Sequence, residues 1–380
     1  MSKLLKYMPV LRVRQEEIKV LKSFDFGKRI YPCLEIIKEL DRESNNGKTK
    51  NSTKPKVQKT FEDVYLPLIN NINAEQVFVD LPVHLQPIRG MKKPTILFLR
   101  RVVANREVRT EYLKKLIPLA TKVIPVISTY SEMTGERASI TLQENDLRPY
   151  FKKIAFRTFI NTFPRDINQI RKLIQKDDYI IMDWEDLELD MSDGDQQDIV
   201  DELKKLDCNI IVHRNPFPKG ITNAGLEHGV IVDTIDNSLI NIYEGFSGSI
   251  FSDYVGIKKD DIGDGGTISP GFFYYDAIKN VFYGYRYKYG SHKKGQPKPR
   301  IEEYETTIIP AVINSDATRR MRTHPLDFLG ADNNGWRIIK NIELGLPDGE
   351  SGKNAAKFKR ISMEHYLYCL RTRISNGDFD

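Results

Sequence analysis

Short apolar runs recur along the chain, each closed by a charged or polar residue, and between them lie stretches whose apolar residues fall three or four apart. Runs of that kind, too short for a helix, read as strands buried on both faces; the spaced stretches read as amphipathic helices. The clearest run is Tyr179-Ile180-Ile181-Met182, which stops at Asp183 and is followed by Glu185, Asp186, Glu188 and Asp190. Strands are expected at 8–11, 30–37, 76–81, 123–128, 154–159, 179–183, 209–212 and 251–257. Helices are expected at 16–24, 61–72, 106–120, 143–150, 166–175 and up to Leu206, the last opened by a capping box of Ser192 with Asp195, and a further one near 238–244. Eight strands alternating with helices predict an α/β fold, an eight-stranded parallel (β/α)8 TIM-like barrel over residues 1–257. A doubly wound open sheet also alternates strand and helix, but the count of eight favours closure.

Past Lys258 the pattern changes. Residues 261–271 are rich in Gly and Asp, and 272–288 reads as two aromatic strands joined at Lys279-Asn280. A helix at 303–312 and loops, including the Gly-rich 346–353, complete an α+β extension, 258–380, expected to pack on the barrel. Residues 41–59 are polar and read as a mobile loop.

Composition changes this picture little. With 380 residues, 40% hydrophobic and 29% charged, the chain can bury one large core. A net charge of +6 is too mild to imply a nucleic-acid partner by itself. Local clustering says more: Arg286, Lys288, Lys293, Lys294, Lys298 and Arg300 share a stretch with no acidic residue and interleaved tyrosines. That segment is a candidate nucleic-acid or partner surface, or a solvated basic loop. Arg319, Arg320 and Arg322 form a second basic cluster. Cys33, Cys208 and Cys369 are too few and too scattered for a disulfide framework or a zinc knuckle. No run approaches membrane length, so a cytoplasmic, reducing setting is expected and no membrane partner.

Candidate chemistry follows from the barrel. The exits of parallel strands converge on one mouth, the usual place for a barrel's active site. They bring Arg12, Arg14, Glu35, Asp80, Arg157, Asp183, Glu185, His213, Arg214 and Asp253 toward one face. Glu35, Asp80, Asp183 and Asp253 are candidate ligands for Mg²⁺ or Mn²⁺, which prefer oxygen donors. Arg12, Arg14, Arg157 and Arg214 are candidate phosphate-binding residues, because a guanidinium fork matches two phosphate oxygens. Glu35, Asp80, Asp183 and His213 are the candidate catalytic groups, with His213 as acid or base. The competing reading is a set of ion pairs, such as Asp183 with Arg157 on neighbouring strands, that fixes the barrel and does no chemistry. The chain has no P-loop, dinucleotide fingerprint, EF-hand loop, G-x-S-x-G or H-E-x-x-H, and its six histidines never pair at metal-ligand spacing.

Several stretches together resemble the bacterial and phage family known as beta proteins. They are Tyr7, Pro9, Leu11, Arg12, Arg14, Gln15 and Glu17 near the start, then Pro32-Cys33-Leu34-Glu35-Ile36, Val79-Asp80-Leu81 and Ile124-Pro125-Val126-Ile127. Ala155-Phe156-Arg157, Ile181-Met182-Asp183 and Phe251-Ser252-Asp253-Tyr254 follow, and Phe328 to Asp332, Trp336 and Ser362-Met363-Glu364-His365 close the pattern. A His-His pair is usual at the last of these; here Glu364 precedes His365, so a single histidine carries over. The resemblance implies the barrel with its C-terminal elaboration and a phage-linked setting that includes antiphage defence. Two functions are therefore expected: a metal-dependent hydrolase of a phosphodiester or nucleotide-like anion, or a non-catalytic sensor or binding subunit of a defence system, recognising a nucleotide, a nucleic acid or a phage component, with a partner protein.

Overall fold

The computed structural model describes residues 5–39, 59–85, 91–257, 271–287, 302–345 and 355–380. Eight parallel strands close into a barrel: β1 (Tyr7–Arg12), β2 (Cys33–Glu35), β3 (Val77–Asp80), β4 (Val123–Ser128), β5 (Ala155–Phe159), β6 (Tyr179–Asp183), β7 (Asn209–His213) and β8 (Ile250–Asp253). Each strand pairs with its sequence neighbour, and β8 returns to β1 through Tyr7↔Phe251 and Met8↔Ser252. Alternation sorts the side chains. Met8, Val10, Cys33, Phe78, Ile124, Val126, Ala155, Tyr179, Ile181, Ile211 and Ile250 fill the interior as one cluster. The alternate positions, among them Tyr7, Leu11, Leu34, Val79, Ile127, Phe156, Met182, Val212 and Phe251, join the larger core beneath the surrounding helices.

The helices that cover the barrel include α1 (Gln15–Ser23), α2 (Phe61–Asn70), α3 (Lys93–Ala104), α4 (Arg106–Lys114), α5 (Ser139–Leu147), α6 (Phe163–Leu173) and α7 (Gly194–Leu203). Several bounds differ from the sequence pattern. The second strand is three residues long, because Pro32 has no N–H to give to a ladder, and Ile30 makes only an isolated bridge to Tyr7. The helix expected over 106–120 ends at Lys114, and Pro118 lies in a separate 3₁₀ turn, Ile117–Leu119. Helix α7 is capped by Asp193, whose side chain accepts from Gln196 N; Ser192 instead donates to Asp190. The loop expected at 41–59 lies, apart from Lys59, outside the described residues, as do most of 261–271 and all of 346–353.

The C-terminal part carries the hairpin β9 (Gly271–Asp276) and β10 (Val281–Arg286), then α8 (Asp316–Thr323), α9 (Asn334–Glu343) and α10 (Ala355–Asn376). Helix α10 packs on α1, α9 and β9 and is buried without a break from Ile361 to Leu370. A helix covered on all sides has no polar stripe, so its sequence lacks amphipathic periodicity. That is why no helix was expected there.

A buried carboxylate is among the contacts that tie α10 to the barrel. Asp253 has the outward parity of Phe251, so it leaves the barrel interior and accepts from Tyr7 Oη at 2.6 Å and Tyr366 Oη at 2.5 Å. Val255 N–H adds a third donor at 2.7 Å and Gly256 N–H a fourth. Burial pushes the Asp253 carboxyl up, and the four donors pull it part of the way back. The chain turns in the left-handed region at Val255 (φ 59°) and Gly256 (φ 60°), and a Cβ at Gly256 would stand 2.6 Å from the Tyr366 ring, so only glycine fits. A Tyr366→Phe variant should lose about 1.5–3 kcal/mol of stability, the usual worth of a hydrogen bond to a charged group, in urea unfolding.

His365 is a strut of the same helix. Its Nε2–H donates to the Tyr275 carbonyl at 2.9 Å, Nδ1 accepts from Asn333 Nδ2 at 2.8 Å, and the ring stacks on Tyr274. Burial lowers its pKa from 6.5 to about 4, outweighing the Tyr275 carbonyl and Asp276. The unfolded chain therefore takes up the proton first, and the stability His365 contributes is full above pH 6.5 and lost as pH falls through 4. A His365→Gln variant should be destabilised most at pH 7.5, and its deficit should shrink by about 2–3 kcal/mol by pH 4.5 in denaturant titrations.

Candidate functional site at the barrel mouth

Register assembles the mouth from two rows. Arg12 pairs with Glu35, and Glu35 with Asp80, across β1, β2 and β3. Asp183 pairs with His213, and His213 with Ser252, across β6, β7 and β8. These positions continue the parity of the interior apolar cluster by one further layer at the C-terminal ends of the strands. The sequence therefore places an apolar plug below and charge above.

Arg157, from β5, stands between the rows. Its Nε and Nη2 donate to Asp183 Oδ2 at 3.0 and 2.6 Å, and Nη1 donates to Glu35 Oε1 at 2.9 Å and Asp80 Oδ2 at 2.8 Å. Nη2 also donates to Tyr254 Oη at 3.3 Å, and that hydroxyl donates to Glu35 Oε1 at 3.2 Å. A guanidinium has five N–H bonds, and all five are engaged. Burial alone would lower the Arg157 pKa, but Asp183, then Tyr254, Glu35 and Asp80, leave it well above its ordinary value. The far oxygens have their own cations. Arg12 Nε donates to Glu35 Oε2 at 3.0 Å, and Arg109 Nη2, from α4, donates to Asp80 Oδ1 at 2.9 Å. Arg109 is itself held by the Leu81 and Val126 carbonyls and by Gln143. Three carboxylates thus meet three guanidiniums, all of them at most 7% exposed.

Two imidazoles flank this network. His213 Nδ1 lies 2.8 Å from Ser252 Oγ, whose one proton goes to the Met8 carbonyl at 2.6 Å. The hydroxyl can therefore only accept from the ring, which puts a proton on His213 Nδ1 and turns Nε2 toward Asp183 Oδ2, 4.0 Å away. His84, just beyond β3, has Nε2 3.5 Å from Glu35 Oε1; its side chain is 15% exposed and its ring lies against Phe159. Glu35, Asp80 and His84 each offer a ligand atom, and the three atoms lie within 4.8 Å of one another.

A family model described as "Beta protein" matches residues 7–371. The chain belongs to the Beta protein family. No curated protein and no solved structure matches it. In this Beta protein family member the residues singled out from sequence divide three ways. Glu35, Asp80, Asp183, Arg12, Arg157 and His213 meet at the mouth. Asp253 does not join them as a metal ligand, because strand parity turns it outward to Tyr7 and Tyr366. Arg214 follows His213 and so also faces away: it donates to the Leu187 carbonyl and to Asp236. Arg14 is the half-buried N-cap of α1. Glu185 sits at a left-handed turn (φ 54°), exposed, with its N–H on Asp183 Oδ1. In the basic cluster, Arg286 bonds the Leu226 carbonyl, and Lys288, Lys293, Lys294, Lys298 and Arg300 lie outside the described residues. Arg320 is paired with Asp276, and Arg319 with Asp316.

Sequence reasoning passed over Arg109, Tyr254, Ser252 and His84. Arg109 carried a signal, a charge on the apolar face of its helix in register with Leu113. Tyr254 and Ser252 follow from parity once Asp253 is placed outward. His84 lies beyond the strand end, where no periodicity applies.

The arrangement makes Arg157 the keystone of charge balance. An Arg157→Met variant leaves Glu35, Asp80 and Asp183 buried against two guanidiniums and should cost about 3–5 kcal/mol. Crowded carboxylates accept protons more readily, so that deficit should be smaller at pH 5 than at pH 7.5 in denaturant unfolding.

Proposed function

We propose that the barrel mouth is a hydrolytic site for a phosphodiester or nucleotide-like anion, working in the phage-linked, antiphage-defence setting that family membership suggests. The observation that supports this reading is the Asp183–His213–Ser252 row. It presents an imidazole of fixed tautomer, lone pair toward the mouth, beside a carboxylate. In that form His213 takes a proton from water at Nε2, and Asp183 stabilises the imidazolium that results. Arg12, the least buried of the three arginines at 7% exposure, is the cation nearest to solvent for the anion to approach. Arg157 does not serve as a phosphate clamp in this reading, since its five donors are engaged within the ring. Glu35 and Asp80, each anchored through one oxygen by its own arginine, are the carboxylates that would hold Mg²⁺ or Mn²⁺. Such an ion supplies Lewis-acid polarisation of the phosphoryl oxygen and a more acidic water.

A second reading is favoured by the closure of the ring. A fully compensated charge network is what a non-catalytic sensor needs to hold a barrel mouth in one shape while it binds a nucleotide, a nucleic acid or a phage component. Hydrolysis of bis(p-nitrophenyl) phosphate with Mn²⁺ separates the two. His213→Ala should slow turnover by about 10²–10⁴-fold in protein whose melting curve shows that it is folded at the assay temperature. A full rate in that variant removes the acid–base reading, and tight nucleotide binding by the wild type without turnover favours the sensor.

A further inference from the structure

The acid–base reading gives His84 no part, although its side chain, 15% exposed, stands beside Glu35 and Asp80. We infer that Glu35, Asp80 and His84 form a site for a borderline first-row divalent cation, Mn²⁺, Fe²⁺, Co²⁺ or Zn²⁺, in preference to Mg²⁺. This rests on reading the mouth as a functional site, and it replaces the four-carboxylate set by two carboxylates and an imidazole.

Geometry carries the inference. The three ligand atoms lie within 4.8 Å of one another, and His84 Nε2 is 3.5 Å from Glu35 Oε1. Two donors about 2.1 Å from a shared tetrahedral ion stand about 3.4 Å apart, so the histidine and glutamate are already at that spacing. Asp80 completes the set when the ion takes the place of Arg157 Nη1, which now bridges Glu35 Oε1 and Asp80 Oδ2. The carboxylates are also held from behind. Arg12 fixes Glu35 through Oε2 and Arg109 fixes Asp80 through Oδ1, the outer hydrogen bonding that orients metal ligands. Phe159 backs the His84 ring, at 5.3 Å between centroids, and limits its rotation. Two carboxylates and an imidazole make a mixed oxygen–nitrogen set. Mg²⁺ favours oxygen and keeps its waters, whereas imidazole suits the borderline ions, so the third ligand decides the class of metal. The site has a rival occupant, the proton: a charged His84 would simply pair with Glu35.

Titration of the full chain with Co²⁺, read by its visible ligand-field absorption, tests this without any assay of turnover. One equivalent should bind, an equal concentration of Mg²⁺ should not displace it, and His84→Ala should weaken it by at least about tenfold. His84 is partly exposed, so this variant should fold, and its melting curve verifies that. Absence of Co²⁺ binding, displacement by equimolar Mg²⁺, or wild-type affinity in His84→Ala would each overturn the site. Co²⁺ binding without hydrolysis leaves the site standing and sinks only the hydrolytic reading. Hydrolysis by a protein that binds no Co²⁺ sinks the metal site alone.

Discussion

A single buried guanidinium holds the mouth of this barrel together. Taking an ion out of water costs several kcal/mol even after relaxation, and that cost is recovered only when its hydrogen-bonding groups find partners. Arg157 meets the condition, with five N–H groups on three carboxylates and a tyrosine. The carboxylates come from β2, β3 and β6 and the tyrosine follows β8, so one side chain from β5 spans the barrel's top. Arg12 and Arg109 then take up the outer oxygens of Glu35 and Asp80. The result is an ionic lid over an apolar interior, and none of its members can change charge without unbalancing the rest.

Much of the fold was legible because its elements obey simple periods. Most barrel strands show an apolar run that ends at a polar residue, and β4 matches its expected bounds residue for residue. Elements were missed where a period is hidden. Helix α10 is buried through ten successive residues, so nothing in its sequence distinguishes an inner from an outer face. Helix α3 begins after Lys92 with Pro94 in its first turn, a pattern that reads equally well as a break. No helix of the described residues is long and apolar enough to cross a membrane.

The site was legible in part, for a reason that lies in the two-residue period of a strand. Arg12, Glu35, Asp80, Arg157, Asp183 and His213 all share inward parity, and they meet. Asp253 and Arg214 stand one residue from inward positions, at Ser252, Tyr254 and His213, and a shift of one residue sends a side chain through the barrel wall. Asp253 instead anchors α10, so a residue that looked chemical joins the C-terminal helix to the barrel. The histidine of the closing segment is likewise structural: His365 is buried and neutral, bonded to a backbone carbonyl and an asparagine.

These placements decide where function can be probed. Loss of activity on replacing Glu35, Asp80 or Asp183 does not separate chemistry from folding, because each is also a counter-ion of Arg157, and breaking a buried pair is strongly destabilising. The histidines differ. His213 bonds Ser252 and stands edge-on to Tyr254, and His84 lies against Glu35 with its side chain 15% exposed. Neither is required to balance the three acids, which the three arginines already neutralise. A group that stands against the ring without carrying its charge balance is where binding or catalysis can be told apart from architecture.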